Sequence, residues 1–213
     1  MSMCVLRRAL PHVFAAVAFA AGPLPSGGAA RPDAGPGRVS ALSNRLANPE
    51  FDATIDSWNL AASSSGWSGD DADSCAASGS LRLADPISVG ASQFVDLGAG
   101  IPLVGRIRVR LVTGSDVSAS LVLAHHSDPG CFTWTGQYQT APVLLQPGAW
   151  QTLELHDTTP PFNACTAIGV AADSAGTGDF EIELDRGFLG DPGELLHGDF
   201  EIGASCRWSS SVP

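Results

Sequence analysis

The sequence predicts an all-β protein, a β-sandwich or barrel. Three observations carry this. Apolar residues recur in short runs separated by Gly, Pro, Asp and Ser from Leu46 onward. No window keeps the i, i+3, i+4, i+7 spacing of an amphipathic helix beyond two turns. Two stretches alternate strictly. Phe180, Ile182 and Leu184 interleave with Asp179, Glu181, Glu183 and Asp185, and Ile107, Val109 and Leu111 interleave with Arg106, Arg108 and Arg110. A period of two puts each apolar set on one face of a strand and the charges on the other. The acidic and basic strands are expected to be antiparallel neighbours with a charge ladder on the outer face, each facing pair contributing roughly 0.2–1 kcal/mol.

The N-terminus reads as a secretory signal peptide over residues 1–30. Arg7 and Arg8 precede the apolar run 13–21, and small residues follow. Cleavage is expected after Ala20 or Ala30. The run is shorter than the ~20 residues that cross a bilayer, so the mature chain is expected to hold no transmembrane segment. It is expected to be secreted, periplasmic or on the cell surface. Cys4 precedes the apolar run, which excludes it as the lipid-bearing cysteine of a lipoprotein. Residues 31–45, rich in Gly, Pro, Ala and Ser, read as a flexible linker.

Charge narrows the partners. Without residues 1–30 the chain keeps nine arginines and no lysine against 22 acids, a net charge of 9 − 22 = −13. Such a surface repels phosphate backbones, so no nucleic acid is expected. The domain spans 46–190. Its predicted strands are 80–83, 93–97, 106–112, 118–124, 132–139, 151–155, 167–172 and 180–186, with a further short one around Phe51 and Trp58. Residues 191–213 form a tail.

Cysteines follow the same logic. Four remain after residue 30, an even number suited to an oxidising compartment, and they allow three pairings. Strand 118–124 ends near Cys131 and strand 167–172 begins after Cys165. The two loops share one end of the sandwich if 132–139 is a strand. Cys131–Cys165 is therefore predicted, leaving Cys75–Cys206 to tether the tail.

Several segments resemble the galactose-binding-like jelly rolls, including carbohydrate-binding modules. Asn48-Pro49-Glu50-Phe51-Asp52 with Trp58 resembles their opening "N-x-x-F-E … W". Ser78-Gly79-Ser80-Leu81-Arg82-Leu83 resembles an "SGSLRL" strand, and Gln93-x-Val95-x-Leu97 and Trp150-Gln151-x-Leu153-x-Leu155 resemble two more. Asp185-Arg186-Gly187-Phe188-Leu189 resembles their closing "D-D-V-x-L", departing from it at Arg186 and Gly187. Gly198-Asp199-Phe200-Glu201 … Trp208-Ser209 resembles a short C-terminal segment of exported Gram-negative bacterial proteins. The resemblance implies a two-sheet antiparallel β-sandwich of jelly-roll type, and one structural Ca²⁺ held by Asp52 and Asp185, with backbone carbonyls near Asn48 and Ser80 completing the shell. It also implies that Trp58 and Trp150 are core.

Catalysis finds little support. The serines form no nucleophile elbow, and no histidine has a motif partner. His125 and His126 are adjacent, so a strand sends them to opposite faces and they cannot share a metal. Asp70-Asp71-Ala72-Asp73 lacks the Gly and the closing Glu of an EF-hand loop. The expected function is non-catalytic binding of a polysaccharide or other glycan, against the alternative of a structural or adhesive surface domain with no small ligand. Trp134 and Tyr138, four apart, share a face of strand 132–139 roughly 13–14 Å from each other. An outward face makes them a sugar platform with Trp67 at its edge, and an inward face makes them core. Gln137 and Gln139 take the other face unless a bulge at Gly136 brings one round.

Overall fold

The computed structural model describes residues 44–52, 54–73, 78–176 and 178–192. These form two antiparallel sheets packed face to face. The first sheet runs β1 (Asn59–Ala61), β4 (Ser88–Asp96), β10 (Cys165–Ser174), β6 (Val117–His126) and β7 (Trp134–Gln139), and β8 (Val143–Leu144) also pairs with β6. The second runs β2 (Ser64–Ser68), β3 (Ser80–Asp85), β11 (Phe180–Gly190), β5 (Pro102–Thr113) and β9 (Gln151–Thr158).

Alternation builds the core. Val117, Ala119, Leu121 and Leu123 of β6 meet Ile168, Val170 and Ala172 of β10, and from the other sheet come Ile107, Val109, Leu111, Ile182 and Leu184. All are buried. At ~25 cal/mol per Å² of apolar surface, this layer is the main stabilising element of the domain.

The predicted strands are present, and most are longer than their apolar patterns. Runs such as Ser88-Val89-Gly90-Ala91-Ser92 show little hydropathy contrast, so pattern alone misses where β4 begins. The short strand expected around Phe51 and Trp58 is displaced: β1 begins at Asn59, just past Trp58, and Phe51 lies outside it. Phe51 and Ser57 have φ of 49° and 75°, which breaks an extended backbone. The segment instead folds as a loop that drops both rings into the core, their centroids 5.3 Å apart. It is stitched to the last strand: Asn44 Nδ2 donates to Gly187 O at 2.7 Å and Gly187 N donates to Pro49 O at 2.9 Å. Gly187 permits this approach, because a Cβ there would lie 2.9 Å from Leu46 Cδ1.

The acidic and basic strands are neighbours as expected, with Glu183 opposite Arg110 and Asp185 opposite Arg108. The acids do not face water, however. Glu183 and Asp185 are fully buried. The loop after β2 lies over them: Arg110 reaches Asp70 at 2.7 Å, Arg108 reaches Asp73 at 3.1 Å, and Ala72 N donates to Asp185 Oδ2 at 2.8 Å. Trp150 is not core either. Arg110 and Arg108 stand over its ring at 4.9 and 5.9 Å, on the outside of the second sheet.

Cys131 and Cys165 form the predicted disulfide, with Cα atoms 5.6 Å apart. Cys165 opens β10 opposite His126 at the end of β6, and Cys131 lies in the loop that follows. Cys75 and Cys206, the expected signal peptide and nearly all of the expected linker and tail lie outside the described residues.

Candidate functional site

The first sheet has an unusual outer face. Register places Ser92 opposite Gly169, and Gly169 opposite Val122. Ala167 sits between Phe94 and Ala124, and Ala171 between Gly90 and Ser120. Side chains this small make a low floor. Larger groups rise beside it: Phe94 on β4, His126 on β6 and Trp134 on β7. Phe94 and His126 meet edge to face at 5.8 Å across β10, which shows only small side chains there. The result is a shallow trough with an aromatic row at one end.

A β-bulge in β7 sets which residues line it. Leu123 pairs with Tyr138, Ala124 with Gln137 and His125 with Gly136, and then the register slips so that His126 pairs with Trp134. Thr135 is the extra residue, and its hydroxyl donates to His125 O at 3.0 Å. The slip reverses facing along the strand. Trp134 therefore shares the outer face with His126, Gln137 and Gln139, whereas Tyr138 takes the core-side face with Leu123. Four-residue spacing predicts one shared face for Trp134 and Tyr138, and the bulge separates them. Tyr138 stays half-exposed because β7 is an edge strand. Its ring stands edge-on to His125 at 6.1 Å.

Trp67 is not at the edge of this platform. It lies on β2, the edge strand of the other sheet. Its Nε1 donates to Phe51 O at 2.7 Å, and its ring covers Gly79, where a Cβ would come within 2.7 Å of it. Trp67 closes the N-terminal loop over the sandwich. Trp134 is 61% exposed, and Phe132, two residues before it, is 71% exposed.

Two buried polar atoms on the trough lack a protein partner: Ser92 Oγ and His126 Nδ1. Buried polar groups are normally paired, and each one left unpaired costs about 1–3 kcal/mol. Both belong to residues that register turns outward. Burial holds the His126 pKa below its ordinary value, with Asp128 opposing. The ring is thus neutral near pH 7 and can donate or accept. The strands of this sheet contain no arginine or lysine; every strand arginine belongs to the second sheet. Ser92, Phe94 and His126 escaped the sequence reading, although the small residues alternating with apolar ones on β4 and β6 foreshadow the floor.

His125 points inward, opposite to His126, as adjacency requires. Its Nε2 lies 2.7 Å from Asp157 Oδ2 and its Nδ1 lies 3.1 Å from Thr166 Oγ1. The chain has the order of a hydrolase triad, but His125 and Thr166 are fully buried. Asn163 Nδ2 also donates to the threonine hydroxyl at 3.2 Å. A nucleophile needs room for a carbonyl, and this one has none. The network is structural.

The expected calcium ligands do not converge. Asp52 is exposed, and its backbone N–H donates to Asn48 Oδ1 at 2.9 Å. Asp185 is buried, and its two oxygens accept from Ala72 N and Arg186 N at 2.8 and 2.7 Å. Among the described residues no three His, Cys, Asp or Glu side chains are grouped to hold an ion. Arg186 supplies a cation in this region, its Nε 3.8 Å from Glu50 Oε2 and its guanidinium paired with Asp73. The donor set does not fit the cation that the resemblance implies.

No known sequence family matches the chain, and no curated protein does. Solved structures match its fold. A module of TmCBM61, solved with β-1,4-galactotriose, is 20% identical with a TM-score of 0.51, over 68% of this chain and 97% of the other. The C-terminal family 22 carbohydrate-binding module of Clostridium thermocellum Xyn10B is 14% identical with a TM-score of 0.53, over 72% and 93%. The enzymatically active domain of bacteriophage CBA120 tailspike protein 4 is 15% identical with a TM-score of 0.56, over 69% of this chain. The chain spans only 21% of that tailspike domain's length. At these identities the likeness is one of fold: the β-sandwich of carbohydrate-binding modules.

Proposed function

We propose that this protein is an exported, non-catalytic carbohydrate-binding module, and that its ligand lies along the outer face of the first sheet with a sugar ring on Trp134. One observation carries the reading: an exposed tryptophan stands with two exposed glutamines on the outer face of a sheet whose strands carry small side chains and no cation. A flat indole stacks on the apolar face of a pyranose. Gln137 and Gln139, exposed on the same face as Trp134, supply planar amide partners for sugar hydroxyls. With no cation on these strands and Asp96, Asp128 and Asp173 flanking them, an uncharged polysaccharide fits better than a polyuronate. Export rests on the Arg7-Arg8 signal-like N-terminus and agrees with a disulfide-bonded fold.

Titration of soluble neutral oligosaccharides, read by tryptophan fluorescence, tests this. Saturable quenching that disappears in Trp134→Ala, while the far-UV spectrum stays unchanged, is the expected outcome. A wild type that binds no glycan would move the assignment to a structural or adhesive surface domain.

A further inference from the structure

The junction between the N-terminal loop and the last strand must be held together, and sequence resemblance places a divalent cation there. The chain solves this differently. In β11 the register slips between Asp185 and Phe188: Asp185 pairs with Arg108 and Phe188 with Arg106, so three steps on one strand match two on the other. Arg186 sits in this bulge with φ of 54°, an uncommon conformation for a residue with a Cβ. The bulge turns its guanidinium to the acids around the N-terminal loop. It pairs with Asp73 of the loop after β2, and its Nε stands 3.8 Å from Glu50 Oε2 of the N-terminal loop, close enough for charge attraction but not for a hydrogen bond. Arg186 and Glu50 are both largely buried. Asp52 and Asp71 add negative potential at Glu50.

We infer that Arg186 is a built-in replacement for a structural cation, its guanidinium tying the N-terminal loop and the loop after β2 to the last strand. A guanidinium is planar, always charged and able to bridge two carboxylates, which is the same electrostatic task a divalent ion performs among oxygen ligands. Attachment to the strand removes any dependence on free metal. Removing Arg186 takes a neighbouring cation from Glu50 and one of two arginine partners from Asp73, and creates a demand for an external cation. The inference is independent of the glycan reading.

Thermal unfolding of the wild-type chain in EDTA and in millimolar calcium chloride tests it. The wild-type midpoint is expected to be the same in both. Arg186→Gln in EDTA is expected to melt roughly 5 °C lower, and calcium should restore part of that loss. Arg186→Lys, which keeps a charge but not the fork, should fall between. A wild-type midpoint that drops on chelation overturns the inference, as does an Arg186→Gln midpoint unmoved by calcium. Should Arg186→Gln fail to fold, the wild-type comparison alone decides.

Discussion

The outer faces of the two sheets are built to opposite plans. On the second sheet the arginines of β3, β5 and β11 all meet carboxylates. Glu183 is fully buried, yet Arg82 Nη2 donates to it at 2.7 Å and Arg110 Nε at 3.0 Å. Asp70 and Asp73 reach across from the loop above, and Trp150 lies under two guanidinium groups. On the first sheet the strands hold no cation, the side chains are small, and Ser92 Oγ and His126 Nδ1 have no protein partner. Both sheets keep unpartnered buried polar atoms, Ser80 Oγ and Arg186 Nε on the second as well as Ser92 Oγ and His126 Nδ1 on the first, so the difference lies in the ion-pair network that covers the second face. A change on the second sheet should therefore be felt as stability, and a change on the first as binding.

The largest effect expected is on the ion-paired face. Glu183→Ala strands two arginines beneath the loop and should cost about 3–5 kcal/mol in urea unfolding. A cost below ~1 kcal/mol would mean that the network is solvated and the contrast between faces is false. Opening the disulfide comes next. Cys131→Ser with Cys165→Ser frees a loop of 34 residues' separation and should lower stability by roughly 2–4 kcal/mol. It should also weaken glycan binding, because Trp134 lies three residues beyond Cys131. Unchanged affinity in that variant would separate the loop from the trough.

A smaller effect comes from pH. Burial pushes Glu50 and Asp185 up to about 7; Arg186 opposes this at Glu50, and two backbone N–H groups oppose it at Asp185. In the unfolded chain both carboxyls release their protons near the ordinary carboxylate value. Their stabilising contribution is thus complete below that value and is lost as pH rises through about 7. The thermal midpoint should fall by a few degrees between pH 6 and pH 8, and Glu50→Gln should flatten the slope. A midpoint that rises over this range would contradict the assignment. Smallest of all, Gln137→Ala should leave stability within ~0.5 kcal/mol and weaken glycan binding about fivefold, the worth of one hydrogen bond.

Much of the sandwich was legible because alternation reports burial directly. Arg106–Val112 against Asp179–Arg186 gave a strand pair, and the placement of 132–139 gave the disulfide. His125 and His126 divided between faces as adjacency demands. The failures have physical causes of their own. Period-two reasoning put Trp134 and Tyr138 together, and a single extra residue, Thr135, undid it. Trp67 looked unassigned because its partners, Phe51 O and Gly79, are backbone features that side-chain patterns do not record. Glu183 and Asp185 read as part of an outer-face ladder, and their burial was not legible because the loop that covers them is distant in sequence from both strands of the ladder. The trough floor is made of Gly, Ala and Ser, which carry little hydropathy contrast and stand out only once register aligns them.

The central contrast is between Trp134 on the first sheet and Trp150 on the second. Affinity electrophoresis through gels containing neutral polysaccharides, run with wild type, Trp134→Ala and Trp150→Ala, tests it most directly. Retardation of wild type and Trp150→Ala, with Trp134→Ala migrating as in a gel without polysaccharide, is the predicted result. Retention by Trp134→Ala together with loss in Trp150→Ala would place the ligand on the arginine-rich face and contradict the account.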